Sequence, residues 1–181
     1  MRPLTAVLTG LTVLSAGAMA GTFFAFAVGV MPGLSAGSPA TAVSAMRHIN
    51  ARIENPFFLA VFMLVPVFAA VAGVLALRSG QRTAGVLLLV AAAVYVVGTI
   101  ITTGAVNVPL NQTLASASPH ADPATVWADF VGRWNVGNTV RTLASSATLL
   151  LAAAAFAARS ATPKAAAAAE LVTDAVTAVA R

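Results

Sequence analysis

The sequence predicts an all-α protein, an integral membrane four-helix bundle with two short amphipathic helices capping its outer end. Three observations carry that expectation. Of 181 residues, 59% are hydrophobic and only 8% charged, where a soluble domain carries about a quarter charged residues. Four apolar stretches are each long enough for a ~30 Å hydrocarbon core, which takes about 20 residues. Two segments between those stretches repeat apolar residues at helical spacing beside polar ones.

The first stretch runs from about Leu4 to Met31 and the second from Pro56 to Leu77. The third runs from Thr83 to Val106 and the fourth from about Val140 to Ala158. None holds a charge in its interior, although Arg141 stands at the very start of the fourth. Arg2, Arg78, Arg82, Arg159 and Lys164 fall on one side of a four-pass chain, and the positive-inside rule makes that side cytoplasmic. Both termini are then cytoplasmic, and the connections 32–55 and 107–139 face outward. The short turn from Arg78 to Arg82 makes the second and third spans antiparallel neighbours. The transmembrane domain is expected over 1–159, followed by an alanine-rich cytoplasmic tail over 160–181.

The N-terminus has a second reading. Arg2, the apolar run and Ala18-Met19-Ala20 before Gly21 resemble a secretory signal with its cleavage site. The apolar run continues through Phe23, Phe24, Phe26 and Val30, which suits a retained anchor. Gly17 and Gly21 form a small-xxx-small pattern that lets helices approach closely. Packing inside the bundle and a seam between copies both use that pattern, so a homo-oligomer stays open.

The first outer segment starts at Ser38-Pro39, a cap followed by proline at the first helical position. Val43, Met46, Ile49 and Ile53 recur along one face, and Asn55-Pro56 ends the helix and opens the second span. The second outer segment starts at Asp122-Pro123 in the same way. Trp127, Phe130, Val131 and Trp134 share its apolar face. The tryptophans read either as an interfacial belt or as the aromatic wall of a ligand site.

The net charge of +5 is spread singly, without the basic patch of a nucleic-acid binder. The chain has no cysteine, which removes disulfides, zinc ribbons, iron–sulfur clusters and thiol catalysis. With two histidines, His48 and His120, a histidine-rich metal or haem site is hard to assemble in one chain. No cofactor is expected, and a metal held by His48, Glu54 and carboxamides stays open.

The polar residues gather in three sets: Arg47 to Asn55, then Asn107, Asn111 and Gln112, then Arg133, Asn135, Asn138 and Arg141. All three meet at the outer end of the expected bundle. Polar groups at membrane depth are costly unless partnered, so the gathering is a candidate site. Asn107 and Asn111 share a face if Pro109 starts a helical turn. Arg141 needs an acceptor, which is either a ligand or a neighbour such as Glu54, Asp129 or a carbonyl. His48 is the natural general base near neutral pH, while His120 reads as an exposed loop residue.

The segments GTFFAFAVGVMPGL (21–34), AMRHIN and ENPFF (45–58), NVPLNQTL (107–114) and WADFVGRWNVGNTVRT (127–142) together resemble the anthrone oxygenase-like membrane proteins. The resemblance covers residues 5 to 158. It implies a four-helix membrane protein, in the plasma membrane of a bacterium, that oxidises an anthrone- or quinol-like lipophilic aromatic with molecular oxygen. The bilayer and that aromatic are its expected partners, and nucleic acid is not. It implies no flavin, haem or metal. His48, Asn107, Asn111 and Arg141 become the expected catalytic residues. Phe57, Trp127, Trp134, Asn135 and Asn138 become the expected substrate-binding residues. The chain departs from the family pattern at Gly137, inside Trp134-x-x-x-Asn138-x-x-Arg141, where a basic or aromatic residue is expected. The alternative function is a non-enzymatic membrane protein, either a binder of small lipophilic molecules or an accessory subunit.

Overall fold

The structure is a computed structural model that describes the backbone of residues 2–179 and the side chains of residues 3–158. The alanine-rich tail expected at 160–181 lies outside the residues whose side chains are described. The elements are α1 (Arg2–Ala25), a π-helical turn (Phe26–Val30), α2 (Met31–Ala36), α3 (Pro39–Ile53) and α4 (Pro56–Arg78). Then come α5 (Arg82–Tyr95), two π-helical turns (Val96–Ile101 and Thr103–Asn107), α6 (Val108–Ser116) and α7 (Pro123–Val179). The π turns continue their neighbours. Four helices are therefore long and apolar enough to cross a membrane: Pro3–Ala36, Pro56–Arg78, Arg82–Ser116 and Pro123–Ala158.

The helix starts follow their caps. Ser38 Oγ accepts from the Thr41 amide at 3.2 Å, and Asn55 Oδ1 accepts from the Phe58 amide at 3.0 Å. Asp122 accepts from the Ala124 and Thr125 amides at 3.2 and 3.1 Å. The Thr125 hydroxyl and then those amides hold the Asp122 carboxyl below its ordinary pKa. The lowered value favours the fold above the ordinary aspartate range, and the benefit is lost as pH falls through it.

The third and fourth spans run longer than the hydropathy suggests. α7 starts at Pro123 rather than near Val140, because no proline interrupts the chain between Trp127 and Val140. The second of the two expected capping helices is thus the first part of the fourth span. The third span runs through Pro109 into α6. A proline ring inside a helix clashes with the carbonyl four residues earlier, here Ala105. Ala105 sits in the π turn Thr103–Asn107, where the wider ladder accommodates that clash.

α1 packs on α4 and α7, and α5 packs on α4 and α7, so each helix has two antiparallel neighbours. The core is tapered. Near the Arg78–Arg82 turn it is mostly alanine: Ala72, Ala76, Ala84, Ala152 and Ala155 around Leu88. The middle holds Met19, Phe23, Phe62, Val65 and Tyr95. At the far end Trp127, Phe130 and Trp134 meet Met31, Met46 and Leu114, where α3 lies against α6 and α7. Arg47 ties α3 down, donating from Nε to the Leu114 carbonyl at 2.8 Å and from Nη2 to the Ala117 carbonyl at 2.9 Å. Small side chains let α4 and α5 approach closely at Gly73 and Gly85, and large ones fill the opposite end.

The closest helix approach is not at Gly17 and Gly21. A Cβ on exposed Gly21 would meet nothing within 4 Å, and one on Gly17 would make only ordinary contact with Leu149. Between α4 and α5, a Cβ on Gly85 would stand 3.0 Å from the Gly73 carbonyl and 2.6 Å from Leu77. Gly85→Val is therefore expected to cost about 1–3 kcal/mol of overpacking and lower the melting temperature in detergent. Gly21→Val, measured in parallel, is expected to leave it unchanged.

Candidate functional site

The taper opens a cavity of about 320 Å³ between the middle and far-end clusters, within the range of small-molecule sites. The four spans and α3 supply it. On α7, Trp134, Asn138 and Arg141 fall four and then three residues apart, hence on one face. On the third span Thr103, Asn107 and Asn111 recur every four residues and all line the cavity. Phe23 and Phe26 come from the first span, and Phe58 and Phe62 from α4. Asn50 and Glu54 line it from the end of α3. Two of the three π turns contribute to it, through Phe26 and through Thr103 and Asn107, as π turns often do at functional sites.

The carboxamides work as clamps. Asn111 Oδ1 accepts from Trp134 Nε1 at 2.9 Å, and Asn107 Nδ2 donates to the Trp134 carbonyl at 3.1 Å. The two asparagines therefore hold one tryptophan by its indole and its backbone. Asn138 Nδ2 donates to the Phe23 carbonyl at 2.9 Å, and its Oδ1 accepts from Arg141 Nη2 at 3.1 Å. The guanidinium of Arg141 lies 4.5 Å from the Phe23 ring centre and 5.3 Å from that of Trp134. It is 7% exposed. Among the described residues no carboxylate bonds to it, Glu54 and Asp129 included, and its Nη1 bonds to no protein atom. Arg141 Nε, Asn107 Oδ1 and Asn50 Nδ2 are sealed without partners. Beneath the site, fully buried Tyr95 packs on Phe62 at 5.9 Å and its hydroxyl is also sealed without a partner.

The cavity thus unites Asn107, Asn111, Trp134, Asn138 and Arg141. It leaves out the other expected residues, His48, Phe57 and Asn135 by their rotation and Trp127 because it lies seven residues, about 10 Å, along α7 from Trp134 on the same face. His48 is exposed and lines a separate hollow with Ser44, Arg47 and Pro119. It sits two residues, about 200°, from Asn50 around α3. Phe57 is 80% exposed, and Phe58 faces inward in its place. Asn135 is half-buried beside Trp134 with its Oδ1 sealed. Trp127 is neither a belt residue nor a cavity wall; it is buried against Phe130 at 5.7 Å beneath α3. Phe23, Phe26, Phe58, Phe62 and Glu54 also line the cavity. The spacing of Phe23 and Phe26 was their signal in the sequence, but the run of phenylalanines there hid which face was inward. Among the described residues no three His, Asp or Glu side chains gather.

Gly137 does not enlarge the cavity. It is buried under Asn107, where a Cβ would stand 2.5 Å from Asn107 Oδ1 and 3.1 Å from its Cγ. The missing side chain is the space in which the carboxamide lies.

The sequence model described as anthrone oxygenase matches residues 57–151, just over half of the chain. The chain belongs to the anthrone oxygenase family. The matched region contains Phe58, Phe62, Asn107, Asn111, Trp134, Asn138 and Arg141, while Phe23, Asn50 and Glu54 precede it. No curated protein and no solved structure matches the chain.

Within this family member, Gly137→Val is expected to expel the Asn107 carboxamide and break its bond to Trp134. The cost should be about 1–3 kcal/mol. A double-mutant cycle checks it. In an Asn107→Ala background the same substitution should cost measurably less, because the clashing group is gone.

Proposed function

We propose that the protein is a membrane oxidoreductase that oxidises a flat, lipophilic, anthrone- or quinol-like aromatic with molecular oxygen. Arg141 carries the reading. A buried cation without a counter-ion is costly, by several kcal/mol in a desolvated site. The faces of Phe23 and Trp134 offset part of that cost, and an amide oxygen offsets more. What the arrangement still lacks is an anion, and Nη1 is free to receive one.

A substrate that becomes an oxyanion as it reacts supplies it. An anthrone loses a proton from the methylene opposite its carbonyl because the resulting anion is aromatic, with its charge largely on oxygen. Arg141, with Asn138 fixing its orientation, stabilises that charge more than it stabilises the neutral ketone, which is the condition for catalysis. Trp134, Phe26, Phe58 and Phe62 hold the flat rings. The two asparagines on Trp134 keep that wall from turning. The electron-rich anion then passes electrons to oxygen, so that methylene plus oxygen gives ketone plus water. Family membership supports the reaction class, and the cavity supports the substrate's shape and charge.

Oxygen uptake by the detergent-purified protein with a supplied anthrone tests this. Arg141→Gln keeps much of the size and loses the charge. It is expected to lower the rate about 10²–10³-fold, the scale of a lost oxyanion donor. Unchanged uptake in Arg141→Gln would falsify the assignment. Anthrone binding by the wild-type protein without any oxygen consumption would instead favour a non-enzymatic binder.

A further inference from the structure

We propose that Glu54 is the general base of this reaction, an inference that rests on the reading of the cavity as an oxygenase site. No histidine lines the cavity, and among the described residues Glu54 is its only carboxylate. Asp122 is engaged in capping α7, and Asp129 lines a separate hollow with Arg133. Glu54 makes no hydrogen bond or ion pair among the described residues, so its carboxylate is uncommitted. It is also exposed, which places it at the rim.

The placement matches the chemistry. Glu54 ends α3, two residues before α4 begins at Pro56. Arg141 lies deeper, over Phe23, which packs with Phe62. Phe62 is six residues into α4, or about 9 Å along its axis. The cavity therefore has a base at its mouth, a cation at its floor and aromatic walls between them. An anthrone is divided the same way, with its methylene and its carbonyl oxygen at opposite ends of the central ring. With the oxygen on Arg141, the methylene faces Glu54.

The Glu54 carboxylate takes one methylene proton, and the C–H electron pair delocalises toward the oxygen held by Arg141. The anion gives its electrons to dioxygen, and a C–O bond forms. The resulting hydroperoxide anion takes the proton back from Glu54. Glu54 then removes the second proton from the same carbon as the O–O bond breaks. The ketone forms, hydroxide leaves, and it collects that proton as water. The carboxylate is regenerated, and one dioxygen has been reduced by one methylene. A positioned base is worth about 10²–10⁴-fold.

Deprotonation can be read without oxidation. Under anaerobic conditions in D₂O, the wild-type protein should exchange the methylene protons of a bound anthrone faster than buffer does, followed by NMR. Glu54→Gln should bind the anthrone but lose at least ~100-fold of that exchange. Acetate should restore exchange to Glu54→Ala and not to Arg141→Gln. Undiminished exchange in Glu54→Gln overturns the assignment. So does a loss of binding and exchange together that acetate does not restore, since that marks a structural role. If the wild-type protein neither binds nor exchanges the anthrone, it is the oxygenase reading that fails, not the choice of base.

Discussion

The rest of the site depends on one constraint: a guanidinium buried in an apolar span with no carboxylate bonded to it among the described residues. Everything around Arg141 manages that charge. Asn138 gives its oxygen to the guanidinium and one N–H to the Phe23 carbonyl, so the amide is held at both ends. Phe23 and Trp134 turn their faces to the cation, the orientation that the ring quadrupole favours. Trp134 is fixed in turn by Asn107 and Asn111. Trp134 and Asn138, on either side of Arg141's charge, are each fixed by another helix. The guanidinium therefore stays oriented when no ligand is present, and preorganised charge is the kind that accelerates chemistry.

The tapered core makes room for this assembly. Alanine and glycine draw α4 and α5 into backbone contact near the Arg78–Arg82 turn, and helix pairs in membranes gain stability from such contact. The same packing repeated along the whole bundle would leave no cavity. Aromatic residues at the other end keep the helices apart, and α3 closes over the gap through Arg47. The π turns add to this by shifting the faces of the first and third spans just where Phe26, Thr103 and Asn107 must face inward.

Much of this was legible in the sequence, and the rest was hidden for definite reasons. Hydropathy and caps located four spans, because both depend on local composition. Spacing placed Asn107 with Asn111 and Asn138 with Arg141, because helical faces follow from residue number. Spacing does not say which face points inward when both are apolar. Phe57 and Phe58 are therefore hard to tell apart by spacing, whereas Trp127 shares the face of Trp134 and is core only because it lies two turns further along α7, beneath α3. His48 was chosen for its chemistry, but the helix that carries it shows the cavity Asn50 and Glu54 instead. The space beneath Asn107 was invisible too. Gly137 reads as a missing side chain until the third span is laid against it.

The depth of the site follows from two opposing costs. A cation is most expensive at the centre of a bilayer and cheaper toward its surface, which favours a place near the end of the bundle. Its influence on a developing oxyanion grows as water is excluded, which favours a place further in. Arg141 meets both demands, one layer beneath a mouth that carries Asn50 and Glu54. Leu59 and Phe57 are exposed beside that mouth, so its rim carries apolar side chains next to the polar Asn50 and Glu54. The charge is held where water is scarce enough for it to act on whatever enters the cavity.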